Sequence, residues 1–252
     1  MRRQILSTLL VLASVTAALW AQAPAGGNGK GKGKAAPPAA PAPKMADGTP
    51  DLSGVWTGFG SNAGDITKAL KAGSEVSMLP WAVEKMKTLK SQDDPQANCM
   101  PSGIPRGNPY PWRIVREDDH FYILYEGNIH SFRQIIMNGK HPEDPDPLWW
   151  GHSIGKWDGN TLVIDTVGFN DKFWLDYLGH PHTEKMHTIE RYTRTDMNTL
   201  NIEVTIDDPG AYTKPFTTQG RARLMPGEEL MEYVCQENNI DLIHVNAPAQ
   251  LP

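Results

Sequence analysis

The chain has 252 residues, 39% of them apolar, with 24 Lys and Arg against 29 Asp and Glu and only two cysteines. Setting aside the six cations ahead of Ala46 leaves the rest at a formal −11. That charge solubilises the body and argues against nucleic acid or anionic lipid as a main partner. Two cysteines, far apart, exclude a disulfide-dense scaffold and a Cys-x-x-Cys metal or redox site.

The first residues, Met1-Arg2-Arg3, are followed by an apolar run over 5–19 and then Ala21-Gln22-Ala23. A basic start, a short apolar core and small residues after it predict a signal peptide over 1–23. The run is too short for an integral membrane span, so an exported protein, periplasmic or extracellular, is expected. Residues 24–46 are Gly/Lys-rich and then Ala/Pro-rich, which predicts a low-complexity linker with nothing to bury. Residues 47–252 then fit a single β-barrel domain. In an exported chain, Cys99 and Cys235 are expected to form a disulfide.

A first strand is predicted over 52–57. The character then turns helical, with a short helix over 65–72 and a better one over 80–86 that has Pro80 in its first turn. From 113 onward the pattern is β. Strands over 113–116 and 120–125 flank Glu117-Asp118-Asp119, and 129–137 ends at Asn138-Gly139, a turn dipeptide. An acidic, Pro-broken loop over 141–147 follows. Further strands are predicted over 152–157 and 161–167 around Asp158-Gly159, over 186–194 and 200–206 around Asp196-Met197-Asn198, and over 216–224 and 230–236 around Pro226-Gly227. Short strands at regular spacing with turn chemistry between them predict an all-β antiparallel barrel or sandwich with a short helical insertion.

Gly54-Val55-Trp56 on the first strand and Thr195-Asp196 in a later turn resemble the lipocalin signature pair. More specifically, residues 50–236 resemble a family of uncharacterised exported bacterial proteins with a lipocalin-like barrel. The likeness lies in the runs Pro50 to Trp56, Cys99 to Arg106, Lys156 to Asp165 and Gly168 to Asp171, and in Pro181-His182 and Glu190-Arg191-Tyr192. It implies a lipocalin-like β-barrel and no particular activity.

Candidate chemistry concentrates in 168–192. A three-residue loop at 196–198 pairs Arg194 with Leu200, Tyr192 with Ile202, Glu190 with Val204 and Thr188 with Ile206. Because side chains alternate, Glu190 then shares a face with four aliphatic residues. A carboxyl group there is costly unless it is paired or protonated. It is read either as an acid/base of raised pKa or as a structural ion pair with Arg133, which alternates with Ile135 and Met137.

The functional reading makes Glu190, His182 and His187 catalytic. Arg133 is its anion anchor, Trp174 and Tyr192 are walls, and Asn170 and Asp171 are further ligand contacts. A lyase, hydratase or isomerase step on a small-molecule ligand in the barrel cavity, with no cofactor, follows from it. One alternative is a non-catalytic binding protein. Another is a metal-dependent enzyme or metal carrier using His180, His182 and His187, although His187 and Glu190 fall on opposite strand faces. Turning at Asp158-Gly159 would also pair His152 with Asp165, as a His–carboxylate couple or a plain surface pair. Trp81, Trp149, Trp150 and Trp174 suit either ligand stacking or a packed lid. No nucleophile elbow, phosphate loop or dinucleotide fingerprint occurs.

Overall fold

The structure is a computed structural model that describes residues 39–59, 64–107 and 110–237. The expected signal peptide and nearly all of the linker lie outside the described residues. The strands are β1 (Gly54–Gly58), β2 (Trp112–Glu117), β3 (His120–Tyr125), β4 (Phe132–Met137), β5 (His152–Asp158), β6 (Thr161–Val167), β7 (His187–Asp196), β8 (Thr199–Asp207) and β9 (Phe216–Leu224). They form one closed barrel in sequence order, β1 pairing with both β2 and β9.

Nine strands cannot all alternate in direction around a closed ring, because an odd count always leaves two like-directed neighbours. Here that pair is β4 and β5, with Ile135 opposite Ser153, so β9 closes antiparallel onto β1. A parallel pair needs a connection of roughly a dozen residues or more, and residues 138–151 supply it. The wholly antiparallel barrel is therefore corrected at this seam. Asn138 does turn the chain, at a left-handed φ of 54°, but its N–H donates to Gly155 O at 2.7 Å and starts a crossover instead of a hairpin.

The two-residue turns at 118–119, 159–160 and 197–198 share one rim of the barrel. The long connections after β1, β3, β6 and β8 share the other. Inside, Trp56 stacks on Trp112, and Ile114, Ile164, Leu200 and Ile202 are almost wholly buried. At the loop rim Phe59, Ile66, Ile104, Trp150 and Phe173 join the same core, so the barrel is plugged there.

Every residue of 101–107 is buried in that plug. A Cβ at Gly103 would lie 2.3 Å from the Phe173 ring, and one at Gly107 would lie 2.7 Å from Trp150, so only glycine fits either place. The segment is anchored by the Cys99–Cys235 disulfide and by the Arg106–Asp94 ion pair, with Arg106 also over the Tyr177 ring.

Three expected elements change. The strand predicted over 129–137 begins only at Phe132, after a 3-10 turn over Asn128–His130. The helix predicted over 65–72 shrinks to a 3-10 turn, Ile66–Ala69, capped by Asp65; α1 (Pro80–Thr88) is the helix the Pro80 start predicts. The strand predicted over 230–236 is absent. There the chain is held by the disulfide and by Met231 N–H donating to Glu126 at 2.9 Å, and β9 already completes the ring.

Candidate functional site

The register of β7 with β8 places Glu190 opposite Val204 and Tyr192 opposite Ile202, so Thr188, Glu190, Tyr192 and Arg194 all face inward. Arg133 projects from β4 onto the same spot. Its two terminal nitrogens donate to the two Glu190 oxygens at 3.0 and 2.6 Å. Two of its other N–H groups reach Ser153 Oγ at 3.0 Å and Thr166 Oγ1 at 2.6 Å, while Tyr192 donates to Glu190 at 3.2 Å. The structural ion pair expected as one alternative from the sequence is thus present, with both Glu190 oxygens bonded to the guanidinium.

Burial alone would lower the proton affinity of Arg133, but the Glu190 charge and its hydrogen bonds outweigh it and hold the guanidinium above its ordinary value. Burial, then the Glu190 carboxylate, push the Tyr192 phenol well up, which keeps it a donor. Between this network and the 103–107 plug lies a void of about 10 Å³, room for about one water.

The loop 168–186 is organised by Asp176, which is fully buried. It accepts from the backbone of Ile66 (2.9 Å), Leu178 and His180 (3.1 Å each) and from the His180 ring at 2.6 Å. His182 donates toward Thr183 O at 3.3 Å and packs 4.0 Å from the Phe173 ring. Its Nε2 has no partner among the described residues, and burial lowers its pKa to about 4. Trp174 and Asn170 are buried, Asn170 accepting from Lys172 N–H, and Asp171 is exposed.

The proposed catalytic set is therefore spread out, with Glu190 inside the barrel, His182 inside the loop and His187 on the outer wall. The metal set is not assembled either. His180 is bound to Asp176 and His187 to Asp165, and the described residues contain no group of three or more His, Cys, Asp or Glu arranged to hold a metal ion. The tryptophans are mostly walls of the plug, as in the stacking of Trp150 on Tyr125 at 4.5 Å.

The outer face of β5, β6 and β7 carries a different arrangement. Cross-strand registers set Ile154, Asp165 and Ile189 in one row and Lys156, Val163 and Arg191 in the next. His152 lies opposite Val167 one row nearer the loop rim, and His187 follows from the same register on β7. The expected direct pairing of His152 with Asp165 is corrected: the turn residues are Gly159-Asn160, with Gly159 at φ 59°, as a glycine-first two-residue turn requires. The register slides by two residues, and His141 from the crossover bridges the diagonal instead.

His187 Nε2 lies 2.7 Å from Asp165 Oδ1 and His141 Nε2 lies 3.1 Å from the same oxygen, while His141 Nδ1 meets His152 Nδ1 at 2.9 Å. One tautomer assignment satisfies all three contacts: His152 donates to His141, and His141 and His187 both donate to Asp165. Burial, then the neighbouring His141, lower the His152 pKa, which favours its neutral ring in that chain.

Asp165 also closes one end of a groove of about 730 Å³, whose lining includes Ile154, Val163 and Ile189 and, further along, Lys156, Asp158 and Arg191. Val163 is buried although it faces outward. The sequence points to His152, Asp165 and His187 but not to His141 or the aliphatic lining. The signal that marks them is three aliphatic side chains on the strand face that should be polar, beside an aspartate and three histidines. Comparison with protein-family models, with curated proteins and with solved structures gives no match.

Proposed function

We propose that this is an exported, lipocalin-like β-barrel protein that binds a small molecule in the outer groove over β5–β7 and performs cofactor-independent acid–base chemistry on it. The observation that carries this reading is the sharing of Asp165 between the apolar groove and the His152–His141–Asp165–His187 hydrogen-bond chain. A concave apolar floor with a few converging polar groups is the usual form of a small-ligand site. Asp165 touches the ligand and exchanges a proton with it; His187 and His141 orient the carboxylate and compensate its charge, which suits a lyase, hydratase or isomerase step. The test is a fragment screen by thermal shift on the wild type and on Val163→Trp, which fills the groove. Hits are expected to vanish in the variant; hits that persist unchanged would move the site elsewhere.

A second reading keeps the chemistry inside, with Glu190 as acid/base and Arg133 as anchor. It is favoured by the Tyr192 phenol on Glu190 and by the small void beside them. It requires the 101–107 plug to lift, so Glu190→Gln should abolish turnover of a found substrate while Val163→Trp leaves it intact.

A further inference from the structure

Resting on the groove reading, we infer that the groove's ligand is a short bipolar acid: an anionic group at Lys156 and Arg191, an apolar spacer of about five or six carbons, and a hydrogen-bond donor at Asp165. The two polar ends of the groove differ in chemistry. Lys156 is exposed and has no carboxylate partner among the described residues, and it stands in one row with Arg191, with Val163 between them. Arg191 is bound to exposed Asp158 at 2.8 Å, so the three groups together carry one net positive charge. An anion placed over Val163 is reached by both cations.

At the other end, Asp165 presents a carboxylate whose Oδ1 is already taken by two imidazoles. Its second oxygen has no partner among the described residues and accepts a donor from the ligand, a hydroxyl or an ammonium.

The spacing is fixed by the strand. Asp165 and Val163 are two residues apart on β6, so the rows lie about 7 Å apart. That is the reach of a five- or six-carbon chain, or of an aromatic ring with one extra carbon, at about 1.5 Å per bond. The spacer lies against Ile154, Val163 and Ile189, which offer no hydrogen bonds. A ligand carrying a second anion at the Asp165 end is rejected by the carboxylate, and a purely apolar one leaves both ends unpaired.

The experiment is isothermal titration of the purified barrel protein with four soluble probes of one length: 6-hydroxyhexanoate, 6-aminohexanoate, hexanoate and 1,6-hexanediol. The first two are expected to bind, with the hydroxy and amino arms separating the two kinds of donor. Hexanoate and the diol should each be at least about tenfold weaker. Lys156→Glu should abolish the advantage over the diol, and Asp165→Asn the advantage over hexanoate. Val163→Trp, or Ile189→Trp where that variant does not fold, should remove all binding.

If all four probes bind alike but are lost in Val163→Trp, the bipolar assignment fails and the groove remains. Binding that survives both groove-filling variants would overturn the groove itself. No binding by either bipolar probe also overturns the assignment, and the groove is then judged by the fragment screen alone.

Discussion

Positions 190 and 187 of β7 carry a carboxylate and an imidazole on opposite faces of one strand, Glu190 bound across the barrel to Arg133 on β4 and His187 bound to Asp165 on neighbouring β6, yet the two faces use them differently. Inside, Glu190 is fully buried and meets a rigid guanidinium through two hydrogen bonds, with two further Arg133 donors bonded to Ser153 and Thr166. Outside, His187 and Asp165 are 39% and 36% exposed, sharing their bonds with His141 and leaving one carboxylate oxygen open. A buried network bonded this densely is expensive to disturb and has little left to offer a ligand. A half-exposed, unsaturated one costs little to rearrange. On the proposed reading the chemistry therefore belongs to the outer face, and the inner pair belongs to the fold.

The largest effect that can break this contrast lies inside. Arg133→Met leaves the Glu190 carboxylate buried without its partner and should cost about 3–5 kcal/mol in urea unfolding, whereas the double change to Arg133→Met with Glu190→Leu should recover much of it. A loss below about 1 kcal/mol would mean that the pair is not structural.

The loop 168–186 gives an effect of intermediate size. His182 is neutral in the fold, with its pKa lowered to about 4 from an ordinary 6.5. The unfolded chain therefore binds the extra proton first. Full stability is expected above pH 6.5, with about 3 kcal/mol lost as pH falls to 4. His182→Leu should flatten that part of the stability–pH curve; an unchanged slope would place the titrating group elsewhere.

The smallest effect is expected outside. Asp165→Asn should change stability by less than about 1 kcal/mol, as exposed pairs do. It should nevertheless alter the ring tautomers of His141 and His187, read from imidazole nitrogen shifts by NMR. A loss as large as that of Arg133→Met would erase the distinction between the faces.

Much of the inner face was legible in the sequence. The loop at 196–198 needs only local turn chemistry, and once it is placed, period-two alternation sends Glu190 in among Leu200, Ile202 and Val204. The observed strand pairs agree, with a bulge at Arg194/Asp196 absorbing the difference at the turn itself. Arg133 as the partner was legible from its own alternation with Ile135. The outer site was not. Its histidines come from the crossover, from β5 and from β7, and the slide of the β5–β6 turn by one position along the chain was enough to mislead the pairing of His152. The missed parallel seam has the same origin, since 138–151 reads as a loop whatever direction its far end takes.

By itself the sequence determined where the nine barrel strands fall, while adding a tenth over 230–236 that does not form, and it determined the disulfide-capable pair Cys99 and Cys235 and which face of β7 is greasy, because these depend on turn residues and on a period of two that any extended chain obeys. Only the tertiary structure decided that β4 and β5 run alike, that 101–107 fills the loop rim, and that His141 lands on Asp165. Those outcomes depend on how an odd ring of strands closes and where a long connection returns, which no local pattern encodes.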